Sequence, residues 1–136
     1  MSQAEPGAPN AQVRWILWAA LLGSQIVYAV LAASGLAVRE EALDVPVLPL
    51  AFGAVAAGAG VVGHVFWRRA AGAGRALHES GPAPVAAQTS YLVAWFCDES
   101  IAILGLVLAL LAFGAASWLP FSVAGIVLML LHRPTS

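Results

Sequence analysis

Cysteine and charge are both scarce in this chain, and each shortage argues against a class of function. Cys97 is the single cysteine in 136 residues, which excludes an internal disulfide, a CxxC redox pair and a cysteine-rich metal site. Charged residues make up 10% of the sequence and the formal net charge is −1, so nucleic acid, which requires a basic surface, is not expected as a partner. The sequence also lacks a nucleophile with its base, a metal-ligand spacing and a phosphate loop, so we expect no enzyme activity, no metal and no cofactor.

What the chain has instead is apolar sequence. It is 61% hydrophobic with a mean hydropathy of +0.87, whereas soluble proteins are about 45 to 50% apolar and about 25% charged. A helix needs about 20 mostly apolar residues to cross a bilayer, and we predict spans at about 13–33, 47–67, 91–113 and 118–131, the last of them short. The sequence therefore predicts an all-α membrane protein with four transmembrane helices in an up-down bundle, preceded by a flexible, polar N-terminal tail over residues 1–12.

The placement of arginine predicts the orientation of the bundle. All six basic residues are arginines, and five fall on one side of the predicted spans: Arg14, Arg68, Arg69, Arg75 and Arg133. Only Arg39 falls on the other side, beside two glutamates. Because cytoplasmic loops are enriched in basic residues, we expect a multi-pass protein of the bacterial inner membrane with both termini in the cytoplasm.

Small residues recur at helical spacing in the second and third spans. Steps of three and four residues place such positions on one helix face, and small faces let membrane helices approach closely. We therefore predict helix packing at six positions: Gly53, Ala57, Gly60, Gly63, Ala102 and Gly105.

Two adjacent acids, Asp98 and Glu99, lie in the middle of the third span. A charged side chain at the centre of a membrane helix costs roughly 2.5 to 3.5 kcal/mol on insertion scales, so such residues usually have a function. Counting along the helices at about 1.5 Å per residue places polar residues of other spans at a similar depth or closer to the cytoplasm. The predicted proton- or cation-binding residues are Glu99, Asp98, Ser100, Gln25 and His64, with Ser24 and Tyr28 at a compatible depth.

The chemistry of this predicted site leaves alternatives open. Removal from water disfavours the charged form of an acid, and a second acid nearby disfavours it further, so the pair can hold and release a proton. Oxygens from the carboxylates, Gln25 and Ser100 suit a hard cation, whereas a permanently protonated acid would only join helices by a hydrogen bond. A haem held by His64 and His132 is not expected, because His132 ends the last span and no CxxCH attachment sequence is present.

The stretch Phe96–Leu111 (FCDESIAILGLVLALL) resembles the carboxylate-bearing helix of the proteolipid (c) subunit of rotary ATPases. A Gly- and Ala-rich helix and an Arg-containing loop precede it, so the resemblance covers residues 47–113. It implies that Glu99 is the ion-carrying carboxylate and that Ser100 is the hydroxyl found beside it in some cation-binding members.

The sequence thus predicts a small integral membrane protein that binds or translocates a proton or cation through an intramembrane carboxylate pair. The alternative is a non-enzymatic accessory or scaffold subunit of a larger membrane complex. The expected partners are the lipid bilayer and either further copies of the chain or the other subunits of such a complex.

Overall fold

The computed structural model describes residues 11–35, 45–77 and 85–134, and these residues form four helices and no strand. The helices are α1 (Ala11–Ala33), α2 (Val47–Leu77), α3 (Val85–Leu110) and α4 (Ala115–Leu131). Three of them are long and apolar enough to cross a membrane, over Gln12–Ala33, Val47–Ala73 and Ala86–Leu110, while α4 is a shorter apolar helix. The prediction of an all-helical chain is confirmed, and its apolar helices suggest a multi-pass membrane protein. The predicted tail lies outside the described residues except for its last two, which belong to α1.

Helix α2 extends well beyond the predicted span 47–67. Pro49 lies in its first turn, where the missing N–H is tolerated. Beyond Trp67 the sequence RRAAGAGRAL is rich in alanine and arginine, which are strong helix formers, and it continues the helix to Leu77. At 1.5 Å per residue these 31 residues measure about 46 Å, more than the roughly 30 Å hydrocarbon core.

Helix α3 ends at Leu110, before the predicted boundary at residue 113. Ala112 has a φ of 62°, in the left-handed region, and its N–H donates to Ala109 O. The N–H of Phe113 donates to Leu108 O, so the two bonds form the Schellman motif that commonly terminates helices. Gly114 is the N-cap residue of α4.

Helix α3 is the central element: it packs against α1, α2 and α4, and α4 also contacts the other three helices. Within the described residues α1 and α2 do not contact each other, so they lie on opposite sides of the α3–α4 pair. Trp18 on α1 bonds to Met129 O near the end of α4, and His64 on α2 contacts His132 just after α4. The start of α1 and the ends of α2 and α4 therefore meet at one end of the bundle.

Close helix approaches hold α3 against its neighbours. A Cβ added to Gly105 of α3 would lie 2.9 Å from Phe121 Cβ and 3.0 Å from Trp118 O on α4. A Cβ added to Gly125 would lie 3.0 Å from the Cβ of Ala102. These distances are below ordinary van der Waals contact, so the α3–α4 interface requires glycine at positions 105 and 125.

The six predicted packing positions separate into two groups. Gly63, Ala102 and Gly105 lie at helix contacts, and a Cβ on Gly60 would meet neighbouring side chains at ordinary distances. Within the described residues Gly53 and Ala57 make no such contact: a Cβ on Gly53 would meet nothing within 4 Å, and Ala57 is exposed. The spacing identified a small-residue face but could not identify what it faces.

The apolar core is divided into two clusters with polar residues between them. One contains Ala70, Tyr91, Trp95 and Met129, and the other contains Ile101, Leu108 and Phe121. Between these clusters along α3 lie Asp98 and Glu99, both buried. The fold therefore places both acids in the interior of the bundle.

Candidate functional site

Asp98 is fully buried and forms a hydrogen bond to a histidine that is not among the predicted site residues. Its Oδ2 lies 2.8 Å from Nδ1 of His132, which is also buried, with 1% of its surface exposed. His132 directly follows α4, and its own N–H donates to Leu128 O. Ionisable groups without a partner are costly to bury, so each side chain provides the polar partner that the other needs.

His132 in turn contacts a second histidine at the surface of the bundle. Its Nε2 lies 3.3 Å from Nδ1 of His64 on α2, and His64 is exposed. The Trp67 ring lies beside both imidazoles, with ring centroids 5.3 Å from His132 and 5.7 Å from His64. Asp98, His132 and His64, which we call the acid–histidine chain, thus form an unbroken series of contacts from the interior to the surface.

Glu99 belongs to a separate group on the other side of α3. Its Oε1 accepts hydrogen bonds from Ser24 Oγ at 2.7 Å and from Tyr28 Oη at 3.1 Å, both on α1. Consecutive residues of a helix point about 100° apart, which is why Asp98 faces α4 while Glu99 faces α1. We call Glu99, Ser24 and Tyr28 the Glu99 cluster.

The Glu99 cluster ends at the backbone of α1. Ser24 Oγ also lies 2.7 Å from Leu21 O, so the hydroxyl has two short contacts to oxygen atoms and one proton to donate. If that proton goes to Leu21 O, a proton on Glu99 supplies the second bond. The arrangement therefore accommodates a protonated Glu99 that donates to Ser24 while accepting from Tyr28.

Two predicted site residues lie outside both groups. Ser100 is exposed and its hydroxyl donates to Phe96 O of its own helix, so it is not a ligand in this arrangement. Gln25 is fully buried, but within the described residues neither of its amide atoms has a hydrogen-bond partner. The single polar site predicted around both acids is thus replaced by two groups that point in different directions from α3.

The register of the α3–α4 hairpin is the signal that could have placed His132 beside Asp98. An antiparallel hairpin pairs residues at equal distances from its turn, and counting outward from Phe113 and Gly114 pairs His132 with Trp95, one helical turn before Asp98. In the structure Trp95 Nε1 donates to His132 O at 2.9 Å, which confirms this register. The hydropathy pattern marks His132 only as the end of the last span and does not indicate which residues of α3 lie beside it.

The polar groups form a linear series of contacts and do not converge on a common point, as the ligands of a metal ion do. Among the described residues no group of three or more His, Cys, Asp or Glu side chains is placed to hold a metal ion. Asp98 Oδ1 and Glu99 Oε2 are buried and have no hydrogen-bond partner in the part of the chain that the structure describes. No protein-family model, no curated protein and no solved structure matches this chain.

Proposed function

We propose that the protein is a small multi-pass membrane protein that binds a proton at Asp98 and exchanges it with the surface through His132 and His64. The observation that carries the proposal is the pair of contacts, 2.8 Å and 3.3 Å, that links a fully buried carboxylate to an exposed imidazole. Neutral imidazole has one nitrogen that donates and one that accepts, so it can pass a proton from one side of the ring to the other. Histidine is also the side chain whose ordinary titration range lies nearest to neutral pH.

Proton transfer along the chain conserves charge at every step. A proton arrives at Nε2 of His64, and His64 releases its Nδ1 proton to Nε2 of His132. His132 then releases its Nδ1 proton to Oδ2 of Asp98. Both histidines end neutral with the other nitrogen protonated, Asp98 ends neutral, and the reverse sequence returns the proton to the surface.

The geometry supports a proton over a larger cation. A hard cation such as Ca²⁺ takes about six to eight converging oxygen ligands, and Mg²⁺ takes about six. Here Asp98 and Glu99 point toward different helices, and Ser100 bonds to its own backbone. The nearest partner of Asp98 is an imidazole nitrogen, which suits proton exchange.

We further propose that the end of the bundle nearest His132 faces the bacterial cytoplasm. Arg14 lies 5.8 Å from the ring of Tyr91, and Trp67, next to Arg68, bonds to Arg133 O, which places these arginines at one end. Basic residues favour the cytoplasmic side. Arg39, the counterexample in the sequence, lies outside the described residues.

The proposal is tested by pH-dependent infrared difference spectroscopy of the full chain in lipid nanodiscs. We expect a carboxylic-acid C=O band that changes with pH, that disappears in Asp98→Asn and that remains in Glu99→Gln. His64→Ala should slow proton exchange with this group by about tenfold or more while leaving its band in place. Circular dichroism of each variant shows whether the bundle has folded.

Two results would contradict the proposal. One is a folded Asp98→Asn protein that keeps the pH-dependent band, and the other is loss of that band in Glu99→Gln alone. The second result would place the proton at Glu99, as the resemblance to the proteolipid subunit implies.

A second proposal, association with further copies or with other subunits, is favoured by the outer face of α2. Within the described residues a Cβ added to Gly58 would meet nothing within 4 Å, and the neighbouring Val55 and Val61 are at least 60% exposed. Lipid can cover such a face, but its small residues also permit close approach of another helix. An accessory or scaffold role would use this face.

The association proposal is tested by counting subunits with single-molecule photobleaching in nanodiscs. If the α2 face mediates association, Gly58→Leu should convert the assembly to single chains, whereas Gly23→Leu on α1 should not. A protein that is already a single chain would contradict self-association, and co-purification of another subunit lost only in Gly58→Leu would identify the scaffold role.

A further inference from the structure

Three tryptophans from three different helices bond to the backbone at the end of α4. Trp18 Nε1 of α1 donates to Met129 O at 2.8 Å, and Trp95 Nε1 of α3 donates to His132 O at 2.9 Å. Trp67 Nε1 of α2 donates to Arg133 O at 3.4 Å. We call these three side chains the indole cap.

The indole cap supplies donors where a helix lacks them. The last four carbonyl groups of an α-helix have no partner within the helix, and they need donors when they are buried. Here the end of α4 is partly buried: Met129 and His132 are both at most 1% exposed, whereas Leu130, Leu131 and Arg133 are exposed. Trp18 supplies the donor for the carbonyl of Met129, within the helix, and Trp95, itself 1% exposed, supplies the donor for the carbonyl of His132, the first residue after it.

Trp95 and Asp98 hold His132 from its two ends. The backbone carbonyl of His132 accepts from Trp95, while its side chain bonds to Asp98, one turn further along the same helix. The backbone bond therefore fixes where the imidazole starts, and the carboxylate fixes where it points. Trp67 adds ring contact with the imidazole from the α2 side.

We propose that the indole cap positions His132 for proton exchange with Asp98, with Trp95 as the principal positioning residue. This inference rests on the proposed function for its consequence but not for its geometry. A tryptophan confined to the membrane interface would anchor the protein to lipid without affecting the imidazole. The cap would instead set the fraction of time in which His132 is aligned with Asp98.

The test compares Trp95→Phe with Trp118→Phe in the full chain in nanodiscs. Phenylalanine keeps an aromatic ring but removes the indole donor, and Trp118 lies near the opposite end of α4. The main measurement is the rate at which the Nδ1 proton of His132 exchanges with water, followed by ¹⁵N-edited NMR. Loss of the donor should raise that rate about tenfold in Trp95→Phe, a change equivalent to one net hydrogen bond, and leave it unchanged in Trp118→Phe.

Partial variants protect the test against misfolding. Trp18 and Trp67 are only partly buried, so Trp18→Phe and Trp67→Phe should fold and raise the exchange rate by smaller factors. An unchanged rate in folded Trp95→Phe, Trp18→Phe and Trp67→Phe would overturn the inference. Equal increases in Trp95→Phe and Trp118→Phe would also overturn it, because they would indicate general loosening.

The two proposals fail in distinguishable ways. If the infrared band of Asp98 does not respond to pH but Trp95→Phe still mobilises the His132 proton, the proton-exchange function is wrong and the positioning remains. If the band responds to pH and Trp95→Phe leaves both the band and the His132 proton unchanged, the positioning is wrong and the function remains.

Discussion

Asp98 and Glu99 are neighbours in the chain, yet their hydrogen bonds lead to different places. From Asp98 the contacts pass through His132 to His64, which is exposed. From Glu99 they lead through Ser24 to the carbonyl of Leu21, within one turn of α1, and to the half-buried phenol of Tyr28. The first series passes through imidazoles, which titrate near neutral pH, whereas the second reaches only a backbone carbonyl and a phenol, which do not.

This difference shows that burial alone does not identify a functional acid in a membrane helix. Both carboxyl groups are at most 8% exposed, and both have hydrogen-bond partners outside their own helix. What separates them is the chemistry of those partners: imidazole nitrogens can accept and release protons near neutral pH, whereas hydroxyl groups of Ser and Tyr do not titrate there. We therefore propose that Asp98 is the functional acid and that Glu99 joins α3 to α1.

The largest expected effect on stability comes from removing the partner of Asp98. His132→Ala should lower the free energy of unfolding by about 3 kcal/mol, because it leaves a buried carboxylate without its partner. His64→Ala is the matched control, since an exposed position should change stability by at most about 0.5 kcal/mol. The free energy of unfolding is measured with denaturant in detergent micelles. Equal decreases in the two variants would show that the Asp98–His132 bond does not stabilise the fold more than the exposed His64 does.

A smaller effect is expected from the glycine that lies against Asp98. A Cβ on Gly63 would lie 3.1 Å from Cys97 Cβ and 3.5 Å from Asp98 Oδ1, so Gly63→Ala should push α2 outward at a cost of about 1 to 2 kcal/mol. Because His64 is the next residue, the 3.3 Å contact to His132 should lengthen and proton exchange should slow.

Gly58→Ala is the control for that substitution, because within the described residues its added Cβ would meet nothing within 4 Å. Alanine is favoured over glycine inside a helix, so the free energy of unfolding should rise by about 0.5 to 1 kcal/mol while the exchange rate stays the same. If Gly63→Ala gives the same result as Gly58→Ala, the close approach of α2 to Asp98 does not control proton exchange through His132 and His64.

The Glu99 cluster should respond to substitution in stability alone. Tyr28→Phe removes one donor to Glu99 and should cost about 1 kcal/mol, while proton exchange at Asp98 stays the same. Ser100→Ala should change neither quantity, since that hydroxyl is exposed and bonds to its own helix. Slower exchange at Asp98 in Tyr28→Phe, followed by the infrared band, would show that the two acids are coupled.

Composition was enough to predict the helices of this chain but not the partners of its acids. Apolar runs of sufficient length predict helices because the bilayer leaves few other structures available to the backbone. Side-chain partners depend on helix rotation and register, which hydropathy does not encode. The predicted cluster joined residues by depth alone, so it included Ser100, which faces outward, and it omitted His132.

The tryptophans illustrate the same limit. Trp18 and Trp67 occur near span ends, where an aromatic belt is the ordinary explanation. Their bonds to carbonyl groups after Leu128 depend on where a short fourth helix stops, and α4 stops well inside the length of α3. The register of the α3–α4 hairpin, counted from its turn, predicts that Trp95 lies beside His132, but it does not predict the contacts of Trp18 on α1 and Trp67 on α2.

The smallest expected effect lies in that turn. Ala112 occupies the left-handed position of the Schellman motif with a φ of 62°, a conformation that glycine adopts without steric cost. Ala112→Gly should therefore raise the free energy of unfolding by about 0.5 to 1 kcal/mol, and Leu111→Gly should lower it. Proton exchange at Asp98 should be the same in Ala112→Gly, because the register that brings His132 to Asp98 is unchanged. A changed exchange rate in this more stable protein would mean that the turn between α3 and α4 sets the alignment of His132 with Asp98. The difference between Asp98 and Glu99 would then depend on this turn as well as on their hydrogen-bond partners.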